Sequence, residues 1–119
     1  MADRNFKGLI VWEKSMDLAV EIHELVKFLP KDELYGISNQ LRRAAVSIPS
    51  NIAEGYSRSS TPDYTKFLSY ARGSNAEVET QLLICLRVGY LREEQIEKAL
   101  ALCNEIVKML TRLILNNKK

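Results

Sequence analysis

Glycine and proline are scarce in this chain, 5 and 3 among 119 residues. A many-stranded fold with frequent tight turns needs more of both, so the composition argues against a sandwich or barrel. There is one histidine and there are two cysteines. Those three cannot complete a tetrahedral zinc site from Cys and His alone. Cys85 and Cys103 sit inside apolar helical patterns and read as reduced core residues of a cytoplasmic protein. No stretch approaches the ~20 apolar residues of a membrane span. The opening MADRNFKGLIVW has no long apolar signal region. Lys31-Asp32-Glu33-Leu34 spells a retention signal, but in an internal position where it has no such meaning. An excess of one charge is also missing: 17 basic against 15 acidic residues leave a net charge of +2. Dense basic arms of the kind that grip nucleic acid non-specifically are therefore absent from the sequence. No HExxH, ExxH, P-loop, GxSxG or CxxC pattern occurs. No enzyme activity, cofactor or metal is expected.

What is present is helix-forming sequence, rich in Leu, Ala, Glu, Lys, Arg and Gln. Apolar residues recur at helical spacing over about 11–29, 33–57, 62–88 and 93–115. In the first segment Trp12, Met16, Ala19, His23 and Val26 form one stripe, and Leu18, Ile22, Leu25 and Leu29 a second. His23 on that stripe reads as a satisfied core or interface histidine. Pro30 ends the segment. Pro49 lies inside the second, where the unbroken apolar register predicts a kink near Ala45–Pro49 rather than a stop. Thr61 suits an N-cap, Pro62 the first helical position, and Asp63 the positive helix end. Gly89 fits the C′ position after the third helix. Residues 116–119 read as a frayed tail. Short connections make sequential helices antiparallel, so the expected fold is all-α: one domain over residues 1–119, an up-down-up-down four-helix bundle. The run Leu82-Leu83-Ile84-Cys85-Leu86 is apolar all round, which one buried face does not explain. It belongs either at the centre of the bundle or against a neighbouring subunit.

The second helix carries an ordered polar stripe. Gln40, Arg43, Ser47, Asn51 and Glu54 fall within an arc of about 80° at 100° per residue. Lys66, Tyr70, Gly73, Glu77 and Gln81 run along one side of the third helix, so Arg43 and Glu77 are placed to pair. Two readings stand: a solvated face with one interhelical ion pair, or a polar network (Gln40, Ser47, Asn51, Glu54, Glu77) serving a subunit contact or groove. The small residues Ala44, Ala45, Ser47, Gly73 and Ser74 would permit close helix approach. Candidate phosphate-binding cations are Arg42, Arg43, Arg58 and Arg72, with Lys66, Arg87 and Arg92 as further basic residues. Tyr56 and Tyr64 flank the loop containing Arg58, where a base could stack. Glu77 and Glu79 point to different helix sides and cannot act as a carboxylate pair.

The segment from Gln40 to Gly55, QLRRAAVSIPSNIAEG, resembles the signature of the 23S rRNA intervening-sequence protein family. Ala71 to Glu79, ARGSNAEVE, resembles its second signature, and Leu9 to Ala19 fits its N-terminal helix. One departure is Asn75, where an apolar residue is expected after the Gly-Ser pair. The resemblance implies a four-helix bundle that assembles as a ring-like homopentamer. It also brings similarity to the accessory protein of diversity-generating retroelements, whose pentamer binds a reverse transcriptase and nucleic acid. Two functions follow as expectations. The first is an oligomer that binds nucleic acid, structured RNA above all, through Arg42, Arg43, Arg58 and Arg72 repeated by symmetry. The second is a ring that recruits a protein partner with little or no nucleic acid, which the low net charge favours.

Overall fold

The computed structural model describes residues 5–117; residues 1–4 of the opening segment and the tail residues 118–119 lie outside them. Four α-helices follow in order: α1 (Ile10–Leu25), α2 (Ile37–Tyr56), α3 (Thr61–Arg87) and α4 (Glu93–Asn116). Single 3-10 turns stand before α1 at Phe6–Gly8, after it at Val26–Phe28, and at Lys31–Glu33. No strand occurs among the described residues. The molecule is a rod of 47 × 22 × 20 Å. Its length is set by α3, whose 27 residues rise about 40 Å at ~1.5 Å each.

The helix ends depart from the sequence expectations for local reasons. The first segment leaves α geometry at Leu25 and tightens into a 3-10 turn before Pro30. The second helix starts at Ile37 rather than near Glu33, because Gly36 stands at its N-cap with non-helical φ −105° and ψ −120°. The N-cap of α3 is Ser60, not Thr61. Ser60 has the extended backbone a cap requires, and its hydroxyl accepts the Asp63 N–H at 3.3 Å. Thr61 and Pro62 then fill the first two helical positions. Helix α4 continues through Asn116, and Asn117 Nδ2 donates to the Leu113 carbonyl at 2.8 Å, so the expected tail is helical for longer. Gly89, at φ +88°, closes α3. The Tyr90 N–H reaches the Cys85 carbonyl at 2.9 Å and the Gly89 N–H that of Leu86 at 3.2 Å, a Schellman closure. Helix α2 continues through Pro49 without a break.

The core is one cluster to which all four helices contribute. Leu18 and Ile22 of α1, Leu41, Ile48 and Ile52 of α2, Leu68, Val78 and Leu82 of α3, and Ile96, Ile106 and Leu110 of α4 are sealed from solvent. Truncating any of these larger side chains to Ala costs ~2–5 kcal/mol. On α1 the second stripe faces this core. His23 does not: it is exposed, because its position on the helix is turned about 100° from Ile22. The apolar run on α3 divides in the same way. Leu82 and Cys85 are buried and Leu86 half-buried, whereas Leu83 and Ile84 are 40% and 44% exposed. The run is thus not central in the bundle.

Helices α2 and α3 make the most extensive pairing. Gly55 permits it. A Cβ there would stand 2.9 Å from Phe67 Cβ and 3.2 Å from the Tyr64 carbonyl oxygen. Gly73, by contrast, faces open space. Lys14–Glu105 at 3.2 Å and Lys98–Glu21 at 3.8 Å link α1 to α4. Such partly exposed pairs are each worth ~0–1 kcal/mol and register the helices more than they stabilise them.

Candidate nucleic-acid interface and polar groove

The two polar stripes meet in a groove between α2 and α3, a cavity of about 440 Å³ lined by Gln40, Arg43, Ser47, Glu77 and Gln81 among others. At its floor the Ser47 and Ser74 hydroxyls share a hydrogen bond at 2.9 Å. Asn51 Nδ2 donates to both the carbonyl and the hydroxyl of Ser47, each at 2.8 Å. Two short serines facing each other let the helix backbones come close, and the amide of Asn51 fixes the hydroxyl direction. Near one end Gln81 Nε2 donates to Gln40 Oε1 at 3.4 Å. The other oxygen of this arrangement, Gln81 Oε1, is sealed and has no partner among the described residues.

The expected ion pair between Arg43 and Glu77 does not form. Both side chains line the groove and both are exposed, so hydration competes with a pair that would gain little. Glu54 is also outside the network. It pairs with Arg58 at 2.8 Å, one turn away on the same side of the chain.

The four candidate arginines are not gathered on one face. Arg42 lies toward α1, beside His23, Lys27 and Lys31. Arg43 lies in the α2–α3 groove. Arg58 follows the end of α2, held by Glu54 and stacked 4.8 Å from the Phe67 ring centroid. Arg72 faces α4, where Nη1 donates to Thr111 Oγ1 at 3.3 Å. Lys66 and Arg92 are paired locally with Asp63 and Glu94. Tyr56 and Tyr64 meet edge to face, 5.7 Å between centroids, so each ring already has an aromatic neighbour.

Asn75, the residue out of place for an apolar core, is 1% exposed. Its Nδ2 donates to the Cys103 carbonyl at 2.9 Å and ties α3 to α4. Its Oδ1 is buried without a partner among the described residues. Both cysteines are buried and unbridged. Burial, with Glu79 adding to it, pushes the Cys103 thiol up to about 12. Burial, then Glu33, raises that of Cys85. Neither thiol is a nucleophile at neutral pH. Among the described residues no cluster of His, Cys, Asp or Glu could hold a metal ion, and no helix is long and apolar enough to cross a membrane.

The model of the 23S rRNA-intervening sequence protein family matches residues 7–112. The chain belongs to that family. A solved structure from Bacteroides thetaiotaomicron VPI-5482, a protein of unknown function in the S23 ribosomal protein family, is 33% identical. It aligns over 88% of this chain and 98% of its own with a TM-score of 0.82, so the family fold extends over nearly the whole bundle. No curated protein matches the chain. In this family member the signature segment from Gln40 to Gly55 builds the α2 side of the polar groove, and its last residue is the glycine that admits α3.

Two features escaped sequence reasoning. One is the role of Gly55, which reads in one dimension only as a weak helix end. The other is Glu33. Its carboxylate accepts the Tyr90 hydroxyl at 2.8 Å and the Ile37 N–H at 3.4 Å, and so clasps two loops 57 residues apart. No local pattern announces a contact of that separation.

Proposed function

We propose that the protein is a non-catalytic, self-associating bundle of the cytoplasm that binds nucleic acid, structured RNA foremost. The observation that carries this reading is the state of Arg42 and Arg43. Neither has an ion pair or hydrogen bond to another side chain among the described residues, so both are available to phosphate. The dispersal of the four arginines over different sides of one chain makes self-association part of the proposal. Only a symmetric assembly, a homopentamer by family likeness, would repeat these cations into a continuous basic surface. The outer face of α3 is the surface offered for assembly. Leu83 and Ile84 are exposed there, Val88 is exposed at the C-cap that follows, and Gly73 leaves the backbone open to close approach. A glycine inside a helix costs ~0.5–1 kcal/mol, and nothing within the bundle requires this one.

A second reading, a ring that recruits a protein partner, is favoured by the same apolar face together with a net charge of only +2. Charge reversal separates the two. Arg42→Glu with Arg43→Glu abolishes binding to labelled structured RNA under the first reading, and leaves a protein partner bound under the second.

A further inference from the structure

Where the C-terminal end of α1 meets the start of α2, the chain leaves a cavity of about 320 Å³. Its apolar part is Val26, Leu29, Pro30 and Leu34; its polar part is His23, Lys27, Lys31, Ser38 and Arg42. No carboxylate lines it. Lys27 is held by Glu24 at 3.1 Å, but Lys31 and Arg42 have no ion pair among the described residues.

Ser38 is the decisive residue. It is 3% exposed, lines the cavity, and its hydroxyl has no hydrogen-bond partner among the described residues. The side chain is enclosed, but its oxygen is not sealed: it stays open to water in the cavity, where a ligand atom can take the water's place. The backbone repeats the pattern. Ser38 and Asn39 are the second and third residues of α2, a helix of 20 residues. The Ile37 N–H is taken by Glu33 and the Gln40 N–H by the Gly36 carbonyl, but those of Ser38 and Asn39 have no acceptor among the described residues. Unpaired N–H groups at a helix N-terminus carry partial positive charge.

We propose that this cavity binds a phosphomonoester: a dianionic phosphate on the Ser38 hydroxyl, Arg42, Lys31 and the first turn of α2, with its organic group on Val26, Leu29 and Leu34. Two unpaired cations match a group carrying about −1.5 to −2 charges near neutral pH, which a carboxylate does not. The volume falls at the lower end of the ~300–1,000 Å³ typical of small-ligand sites. The site stands on its own geometry and does not require the nucleic-acid reading. A free metabolite and the phosphorylated 5′ end of an RNA present the same chemistry.

The test is titration of the full chain, followed by calorimetry and by backbone amide NMR. The probes are phenyl phosphate, benzoate, and one short RNA oligonucleotide with either a 5′ phosphate or a 5′ hydroxyl. Phenyl phosphate is expected to bind saturably, one per chain, to shift the Ser38 and Asn39 amide signals, and to bind about tenfold more tightly than benzoate. Ser38→Ala and Arg42→Gln each weaken it about tenfold while Arg43→Gln, outside the cavity, does not. Shifts of those amides with the 5′-phosphorylated RNA and not its hydroxyl form assign the site to RNA ends; shifts with phenyl phosphate alone assign it to a free phosphomonoester. Absence of saturable binding to phenyl phosphate, equal affinity for benzoate, or unchanged affinity in a folded Arg42→Gln chain overturns the proposal.

Discussion

Gly55 and Gly73 are both helical glycines, yet the structure gives them opposite requirements. Replacing a helical glycine by alanine gains ~0.5–1 kcal/mol from backbone entropy where the new methyl meets nothing. Gly73 is such a place, with open space beyond its Cα, so Gly73→Ala stabilises the folded chain by about that amount. At Gly55 the same methyl would lie 2.9 Å from Phe67 Cβ and 3.2 Å from the Tyr64 carbonyl, and a carbonyl of α3 cannot swing away as a side-chain tip can. Overpacking of that kind costs ~1–3 kcal/mol. The propensity gain largely cancels between the two variants, so their difference isolates the packing at the α2–α3 crossing. Gly55→Ala is expected to be less stable than Gly73→Ala by ~1–3 kcal/mol in urea unfolding, with similar slopes. Equal stabilisation by both substitutions would show that α2 and α3 do not approach at Gly55, and would refute the account of the groove built upon that approach. The Gly73→Ala chain serves twice: if its backbone meets a neighbouring subunit, its assembled mass falls although the chain itself is more stable.

Other consequences are as direct. Leu83→Glu and Ile84→Glu place a charge on side chains that are 40% and 44% exposed, so circular dichroism should still show a helical protein while light scattering shows a smaller species; unfolding instead would assign both residues to the monomer core. Cys103 and Cys85, their thiols raised by burial, should resist alkylation at pH 8 in the native protein and react once it is denatured, and rapid native labelling would contradict their placement. The Tyr90 hydroxyl is raised first of all by its hydrogen bond to Glu33, a bond that favours the protonated phenol. Its contribution is therefore complete below the usual phenol value near 10 and is lost as pH rises through the higher folded value. Wild type should out-melt Tyr90→Phe at pH 8, and the gap should close in strong alkali; a gap independent of pH would mean the contact does not matter.

The helices were legible because each carries a long apolar stripe, and a stripe of four or more turns leaves little choice of structure. Their ends were less so. Ser60 and Thr61 are equally good caps in one dimension, and only the backbone angles of the folded loop select Ser60. His23 shares spacing with Trp12 and Ala19, but a period near 3.6 allows two stripes on one helix, and burial chose the stripe of Leu18 and Ile22. The polar groove could be read as two facing stripes. Its interior could not: Ser47 met Ser74, a small residue of the inner stripe of α3 rather than of its polar one, while Arg43 and Glu77 remained in water. Asn75 was visible as an exception, and its bond to the Cys103 carbonyl gives the physical reason the core tolerates it. The cavity beside Ser38 left no trace in the sequence, because its residues come from two helices and the loop between them and follow no motif.

The measurement that bears most directly on the proposed function is binding of purified protein to labelled structured RNA, duplex DNA and single strands at two salt concentrations, with the mass in solution measured on the same samples. The account predicts an oligomer that binds structured RNA at micromolar concentration or below and loses affinity steeply as salt rises. A monomer, or an oligomer that binds none of the three at low salt, would contradict it.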